Sequence, residues 1–248
     1  MSLAAWQRGL CMLVARHAAP DAPDSSTSGG RMQLGQLELS SDERLWLESV
    51  ADAPGFSVTC DIQRRWRRLR VQAGAPLTLT ALGADRHSAV DAYLSRVPLR
   101  SMFVTPEVVG FTTFVAHESG YDLRVRAVAA FERALKLAVA GRGRALSSGR
   151  SLPPGTVLCR HPSAAMVPLP CRPEALFGAL LSRGPLPDAD QPTTVLVAPG
   201  LATLWRPASL AEVDQWDAHE EPRLSRGPST PVLALLEAGA LCEQETAV

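Results

Sequence analysis

Leu3, Trp6, Leu10, Leu13 and Val14 recur at helical spacing, which predicts a first amphipathic helix over residues 2–17. Residues 21–30 are dense in Asp, Ser, Pro and Gly, lose that period and read as a loop. Ser40 and Glu43 stand at capping-box spacing, each side chain able to satisfy the other's backbone N–H, and open a short helix carrying Leu45, Trp46 and Val50. Pro54-Gly55 reads as its stop. Over 61–72, Ile62, Trp66 and Leu69 fall on one helical face and arginines take the rest. Further helices are predicted over 76–83, with Gly83 as a natural C-cap, and over 85–96, 106–117 and 122–140. Val97-Pro98 and Thr105-Pro106 mark boundaries, because proline disfavours α geometry in the residue before it.

The pattern changes at Gly141-Arg-Gly-Arg144. Gly, Ser and Pro dominate to Gly155, and short β-prone runs follow at 156–159, 165–169, 194–198 and 201–205. The last two suggest a hairpin around Pro199-Gly200. A helix over 173–183 lies between the strand pairs, and Ser209 with Glu212 repeats the capping box before a helix towards His219. The predicted class is α+β: a mostly α-helical N-terminal domain over 1–140 (best defined over 41–140), a linker at 141–155, and a small α+β domain with a short antiparallel sheet at 156–220. Residues 221–248 read as a C-terminal tail or helix.

Length changes the picture little: a chain of 248 residues buries roughly 70–75% of its unfolded surface and needs no disulfide or metal staple. Cys11, Cys60, Cys159, Cys171 and Cys242 are odd in number and scattered, matching neither a secreted disulfide framework nor a zinc motif, so a reducing cytoplasm is the expected setting. The apolar run 9–15 is too short to span a bilayer. Charge is more informative. Residues 1–150 carry 19 basic and 14 acidic side chains, and residues 151–248 carry 6 and 11. A basic half of this kind attracts acidic partners. Lys136 is the one lysine among 25 basic residues; a GC-rich genome accounts for such a bias, as does a surface that grips carboxylates bidentately.

Candidate chemistry is sparse. His17, His87, His117, His161 and His219 never pair with another His or Cys at ligand spacing, and His87 with Asp91 has ordinary helix-surface spacing. No G-x-S-x-G elbow occurs. Cys60 stands just before the arginine-rich helix, where the dipole would lower a thiol pKa, or else is a small half-buried residue. Cys159 and His161 would share one face of a strand. Arg64, Arg65, Arg67, Arg68 and Arg70 could neutralise phosphates, which keeps a nucleic-acid-binding regulator as the alternative function; the same residues could equally form a solvated or protein-docking face. The hairpin could offer an edge to an extended peptide, or could be fully covered. No catalytic, metal or cofactor constellation is predicted in this chain.

Several pieces, in order, resemble a family of partner proteins for multinuclear non-heme iron-dependent oxidative enzymes. That family acts in the biosynthesis of ribosomally made peptide products of the methanobactin and 3-thiaglutamate type, and many relatives were first labelled DNA-binding domains. The pieces are Pro76-Leu-Thr-Leu-Thr-Ala-Leu-Gly83, Ala92-Tyr-Leu94, Val97-Pro-Leu-Arg-Ser101, Glu107-Val-Val-Gly-Phe-Thr-Thr-Phe114, Ala130-Phe-Glu-Arg-Ala-Leu135, His161-Pro-Ser163, Leu169 and the helix near 175–180. They span about residues 60–216. Leu99 stands where relatives often have a second proline, and Arg133 where tryptophan is common.

The resemblance implies a non-catalytic subunit that binds an iron-dependent peptide-modifying oxygenase in a heterodimer and helps recognise the precursor's leader peptide. Iron would sit in the partner enzyme, and no membrane is implied. Arg100 and Glu132 match an arginine and an acidic residue of the family, as partner-interface or scaffold groups. Leader seating by strand addition would involve Val195, Val197, Leu204, Trp205 and Arg206, with Leu204 and Trp205 lining pockets and Arg206 meeting an acidic leader residue.

Overall fold

The computed structural model describes residues 3–18, 37–97, 103–142, 155–224 and 229–243. Its fold is α+β and mostly helical, with two small antiparallel sheets. Among the described residues no helix is long and apolar enough to cross a membrane.

The chain divides into two compact units, one of Met1–Gly74 with Ala84–Phe111, the other of Ala75–Gly83 with Thr112–Val248. This differs from the boundary placed at 141–155 by composition. The physical reason is the long helix Leu123–Gly141, whose Val128, Phe131, Ala134 and Ala138 share a core with the second unit's strands.

The first unit contains α1 (Leu3–Ala18), α2 (Ser41–Asp52), α3 (Pro54–Gly74) and, after a fourth helix that belongs to the second unit, α5 (Arg86–Arg96). Ser40 and Glu43 form the predicted box at the start of α2, with the Ser40 N–H donating to Glu43 at 2.8 Å and the Glu43 N–H to the Ser40 hydroxyl at 3.2 Å. Pro54 ends one helix by opening the next: it is the first residue of α3, where a missing N–H costs nothing. Ala5, Leu13, Leu39 and Leu47 make one core here. Tyr93 and Leu94 of α5 are buried, as are Val108 and Phe111 of α6 (Val104–His117), a helix that contributes residues to both units. Tyr93 meets Phe111 edge-on at 5.5 Å between ring centroids.

The second unit holds α4 (Pro76–Leu82), α7 (Leu123–Gly141), β1 (Val157–Arg160), β2 (Ala165–Leu169), α8 (Pro173–Ser182), β3 (Thr193–Val197), β4 (Trp205–Pro207), α9 (Leu210–Ala218), β5 (Arg223–Leu224), α10 (Thr230–Glu237) and β6 (Leu241–Glu243). The sheets have strand orders β5-β1-β6 and β2-β3-β4. On one face of β2-β3-β4, Val167, Leu169, Val195 and Val197 meet α7 and α8. On the other, Leu196 and Ala198 meet Leu158, Trp216, Val232 and Leu235. The run Val195-Leu-Val197 is continuously apolar because both faces of its strand are covered.

The described residues from 221 onward include the helix expected there and two strands besides. They supply β5, β6 and α10, and Val232, Leu235 and Leu241 fill the core. The hairpin exists, but β4 starts only at Trp205; residues 201–204 are turn, not strand. Arg142 holds that turn by donating to the carbonyls of Leu201 at 3.0 Å and Ala202 at 2.9 Å.

Candidate functional site

Two pieces of the sequence pattern, 55 residues apart, meet at α4. The first N–H groups of a helix have no acceptor within it, and the residue before α4 is Ala75, which has no capping side chain. Glu132 of α7 supplies the missing acceptor: the Leu77 N–H donates to Oε1 at 3.0 Å and the Thr78 N–H to Oε2 at 2.8 Å. Glu132 is 2% exposed. Its place is therefore in the scaffold, as a cap delivered from another helix. Gly83 closes α4 at φ +56°. Arg100, the other residue matched to the family, lies outside the described residues.

Next to Glu132, Phe131 packs on Phe177 of α8 and on Trp205 of β4, with ring centroids 4.6 and 5.8 Å away, and Phe177 meets Trp205 at 5.0 Å. The three rings and the cap are the most developed constellation in the second unit. They fix β4 against α7 and α8 and leave Trp205 and Leu204 partly accessible.

The remaining hairpin residues expected to meet a leader are buried or already paired. Val195 and Val197 have no exposed surface, because they lie in the central strand with helices packed on their face. Arg206 is already bound to Glu212, with Nη1 donating to Oε2 at 3.0 Å. The guanidinium, against the upward push of burial and with help from the Ser209 backbone and hydroxyl, holds the Glu212 carboxyl down at about 2. That carboxylate also closes the second predicted capping box, accepting the Ser209 N–H at 2.9 Å.

The register defines what the edges offer. The Ala198 N–H donates to Leu204 O and the Ala208 N–H to Thr194 O, both at 2.9 Å. Antiparallel alternation then turns the N–H and C=O groups of Trp205 and Pro207 outward on β4. Pro207 has no N–H, the Trp205 carbonyl accepts the Thr203 hydroxyl at 2.7 Å, and the Pro207 carbonyl accepts Arg206 Nη1 at 3.1 Å. The same alternation turns Met166 and Pro168 outward on β2. Each edge thus carries a proline, a residue that removes a ladder donor and blunts strand addition. A peptide on β4 would find one outward backbone donor, the Trp205 N–H.

The arginine helix α3 is turned over relative to its sequence pattern. Its buried residues are Cys60, Arg67, Val71 and Gly74. Arg67 Nε donates to Glu107 at 2.8 Å and Nη2 to the Val97 carbonyl at 2.9 Å, while its guanidinium lies 5.3 Å from the Tyr93 ring centroid. Arg68 donates to Asp91, and Arg64 comes within 4.0 Å of the same carboxylate. Asp91 thus serves these arginines, not His87. Arg65 and Arg70 have no ion pair among the described residues. The apolar residues Val58, Ile62, Trp66 and Leu69 face solvent, at 58, 51, 56 and 45% exposure. Sequence reasoning found the stripe but not its outward direction. The available signal was the set of small or matched residues opposite it, ending at Gly74.

Thiol and imidazole chemistry gains little. Cys60 lies within α3, which starts at Pro54, so it is not at a dipole-activated N-terminus; burial and then Asp61 push its thiol up. Cys159 faces Cys242 across β1 and β6 with sulfurs 3.5 Å apart, while His161 Nδ1 accepts the Ser163 N–H at 3.1 Å. Among the described residues no group of three or more His, Cys, Asp or Glu is placed to hold a metal ion. In comparisons with protein-family models and with curated protein sequences, the chain matches none.

Proposed function

We propose that this chain is a non-catalytic partner subunit. It binds an iron-dependent peptide-modifying oxygenase as a heterodimer in the cytoplasm and helps seat the leader of a ribosomally made precursor peptide. Iron belongs to the partner enzyme in this reading. The observation that carries it is convergence: the pieces on which the family resemblance rests, Pro76–Gly83, Ala130–Leu135 and the helix near 175–180, are brought together by the Glu132 cap and the Phe131, Phe177 and Trp205 rings.

The edge geometry narrows how a leader would sit. Contact at β4 centres on the Trp205 N–H and the accessible sides of Leu204 and Trp205, a short anchor in place of a full added strand. Recognition of an acidic leader residue by Arg206 would require displacing Glu212. The nucleic-acid reading has weaker support, because Arg67 is buried on Glu107 and Arg68 is engaged by Asp91.

The test is co-purification of the tagged chain with the products of its neighbouring genes, followed by iron analysis. The reading expects a stoichiometric complex whose iron stays with the oxygenase on separation. A chain that emerges alone, ignores the precursor and retains mixed-sequence DNA in a steeply salt-dependent way would overturn it.

A further inference from the structure

At 3.6 residues per turn, Val58, Ile62, Leu69 and Trp66 fall within a sector of roughly 80° on α3, and Ala73 extends the same seam. Cys60, Arg67, Val71 and Gly74, the buried residues, occupy the opposite side. Helices α1, α2 and α5 all pack against α3. None covers the four apolar side chains, each of which is at least 45% exposed. Ile62, Trp66, Leu69 and Ala73 follow the four-three-four spacing that lets one helix lie along another. From Val58 to Leu69 the seam is about 16 Å long, three helical turns.

Single exposed apolar residues need no explanation, but a contiguous seam on the order of a few hundred Å² marks an interaction surface. The flanks say what kind. Arg65 borders the seam on one side and Arg70 on the other, and neither has an ion pair among the described residues. The next arginine outward, Arg68, is held by Asp91. An apolar seam between two uncompensated guanidinium groups is complementary to a helix with apolar residues at three-four spacing and carboxylates on both flanks. Trp66, midway along the seam's length, is the residue type that most often dominates such contacts.

We propose that the outward face of α3 docks an acidic amphipathic helix of a partner protein, with Ile62, Trp66 and Leu69 as anchors and Arg65 and Arg70 as the charge selectors. This goes beyond the subunit reading, since the surface chemistry holds whichever protein carries the helix.

The probe is a fluorescein-labelled synthetic helix with leucines at three-four spacing and glutamates on both flanks, titrated against the full-length chain by anisotropy. A lysine-flanked version of the same peptide is the control. The proposal expects the acidic peptide to bind at least about tenfold more tightly than the lysine version. Trp66→Ser should lower its affinity by about tenfold or more. The double variant Arg65→Glu/Arg70→Glu should invert the preference in favour of the lysine peptide. Arg65 and Trp66 are exposed and Arg70 is half-exposed, so the variants should keep the wild-type far-UV circular dichroism and a melting temperature close to it. Equal binding of both peptides, no binding of either, or an unchanged preference after charge reversal would overturn the proposal. So would a wild-type dimer in sedimentation that Trp66→Ser dissociates, because the seam would then belong to a second copy of this chain. No oxygenase or precursor enters this measurement, so its failure is distinct from failure of the complex.

Discussion

Replacing Glu132 by Gln keeps the shape of the side chain and removes half of its function. The carboxylate accepts two backbone donors, Leu77 N–H and Thr78 N–H, at a site 2% exposed. An amide presents one oxygen; its NH2 group would face the second N–H donor to donor. One buried donor then loses its acceptor, which costs about 1–3 kcal/mol. The surviving bond also loses its charge assistance, about 1 kcal/mol more. The expected destabilisation is about 2–4 kcal/mol, a large share of the 5–15 kcal/mol that holds a typical domain together. Urea unfolding followed by far-UV circular dichroism should show a midpoint lowered by about 1 M, taking a slope near 2–3 kcal/mol per molar. Amide exchange gives a local reading: the Leu77 and Thr78 amides should exchange much faster in the variant. Glu220, on the surface, is the control; Glu220→Gln should leave the midpoint within about 0.5 kcal/mol of wild type. If Glu132→Gln matched that control, the capping argument would be refuted.

Removing one member of the buried Arg67–Glu107 pair, as in Glu107→Gln, should destabilise by about 3–5 kcal/mol in denaturant unfolding, whereas Arg67→Met with Glu107→Leu should recover most of it. Glu212 titrates near 4.5 when unfolded and about 2 when folded, so its contribution is fully present above pH 4.5 and is lost as pH falls towards 2. Glu212→Gln should therefore flatten the acid limb of a stability–pH curve in that window, to which Asp122, also held at about 2, contributes separately. Gly110→Ala would place a methyl 2.6 Å from the Tyr93 hydroxyl and should lower stability by about 1–3 kcal/mol, measurable as a lower Tm. At neutral pH an alkylating reagent should label exposed Cys11 well before Cys242, whose thiol is pushed up to about 12 by burial and Cys159; equal rates would contradict that placement.

What was legible in the sequence was local. Both capping boxes, Ser40 with Glu43 and Ser209 with Glu212, form as their spacing predicts, because three residues of chain settle the geometry. The Gly83 cap and the span of β2 were legible for the same reason. The face that α3 buries was not, because it depends on Glu107, 40 residues away, neutralising Arg67 inside the unit. Taken alone, an apolar stripe among arginines says which residues share a face, not which face turns inward. The strands β5 and β6 have two and three residues, too few for a period of their own, and take their register from β1. The edge-blunting prolines were in plain view at Pro168 and Pro207, but their meaning required the strand order. Glu132 was found through its motif; its role as a cap for Leu77 and Thr78 needed three dimensions.

The most direct test of the central claim is a reconstitution. A multinuclear iron-dependent oxygenase, taken from the products of neighbouring genes as the proposed partner, is assayed on a precursor peptide, by mass change, with increasing amounts of the purified chain. The account predicts that modification rises with added chain and saturates at one chain per oxygenase, while the chain alone leaves the peptide unchanged. Full modification by the oxygenase without this chain, or modification by this chain alone, would contradict it.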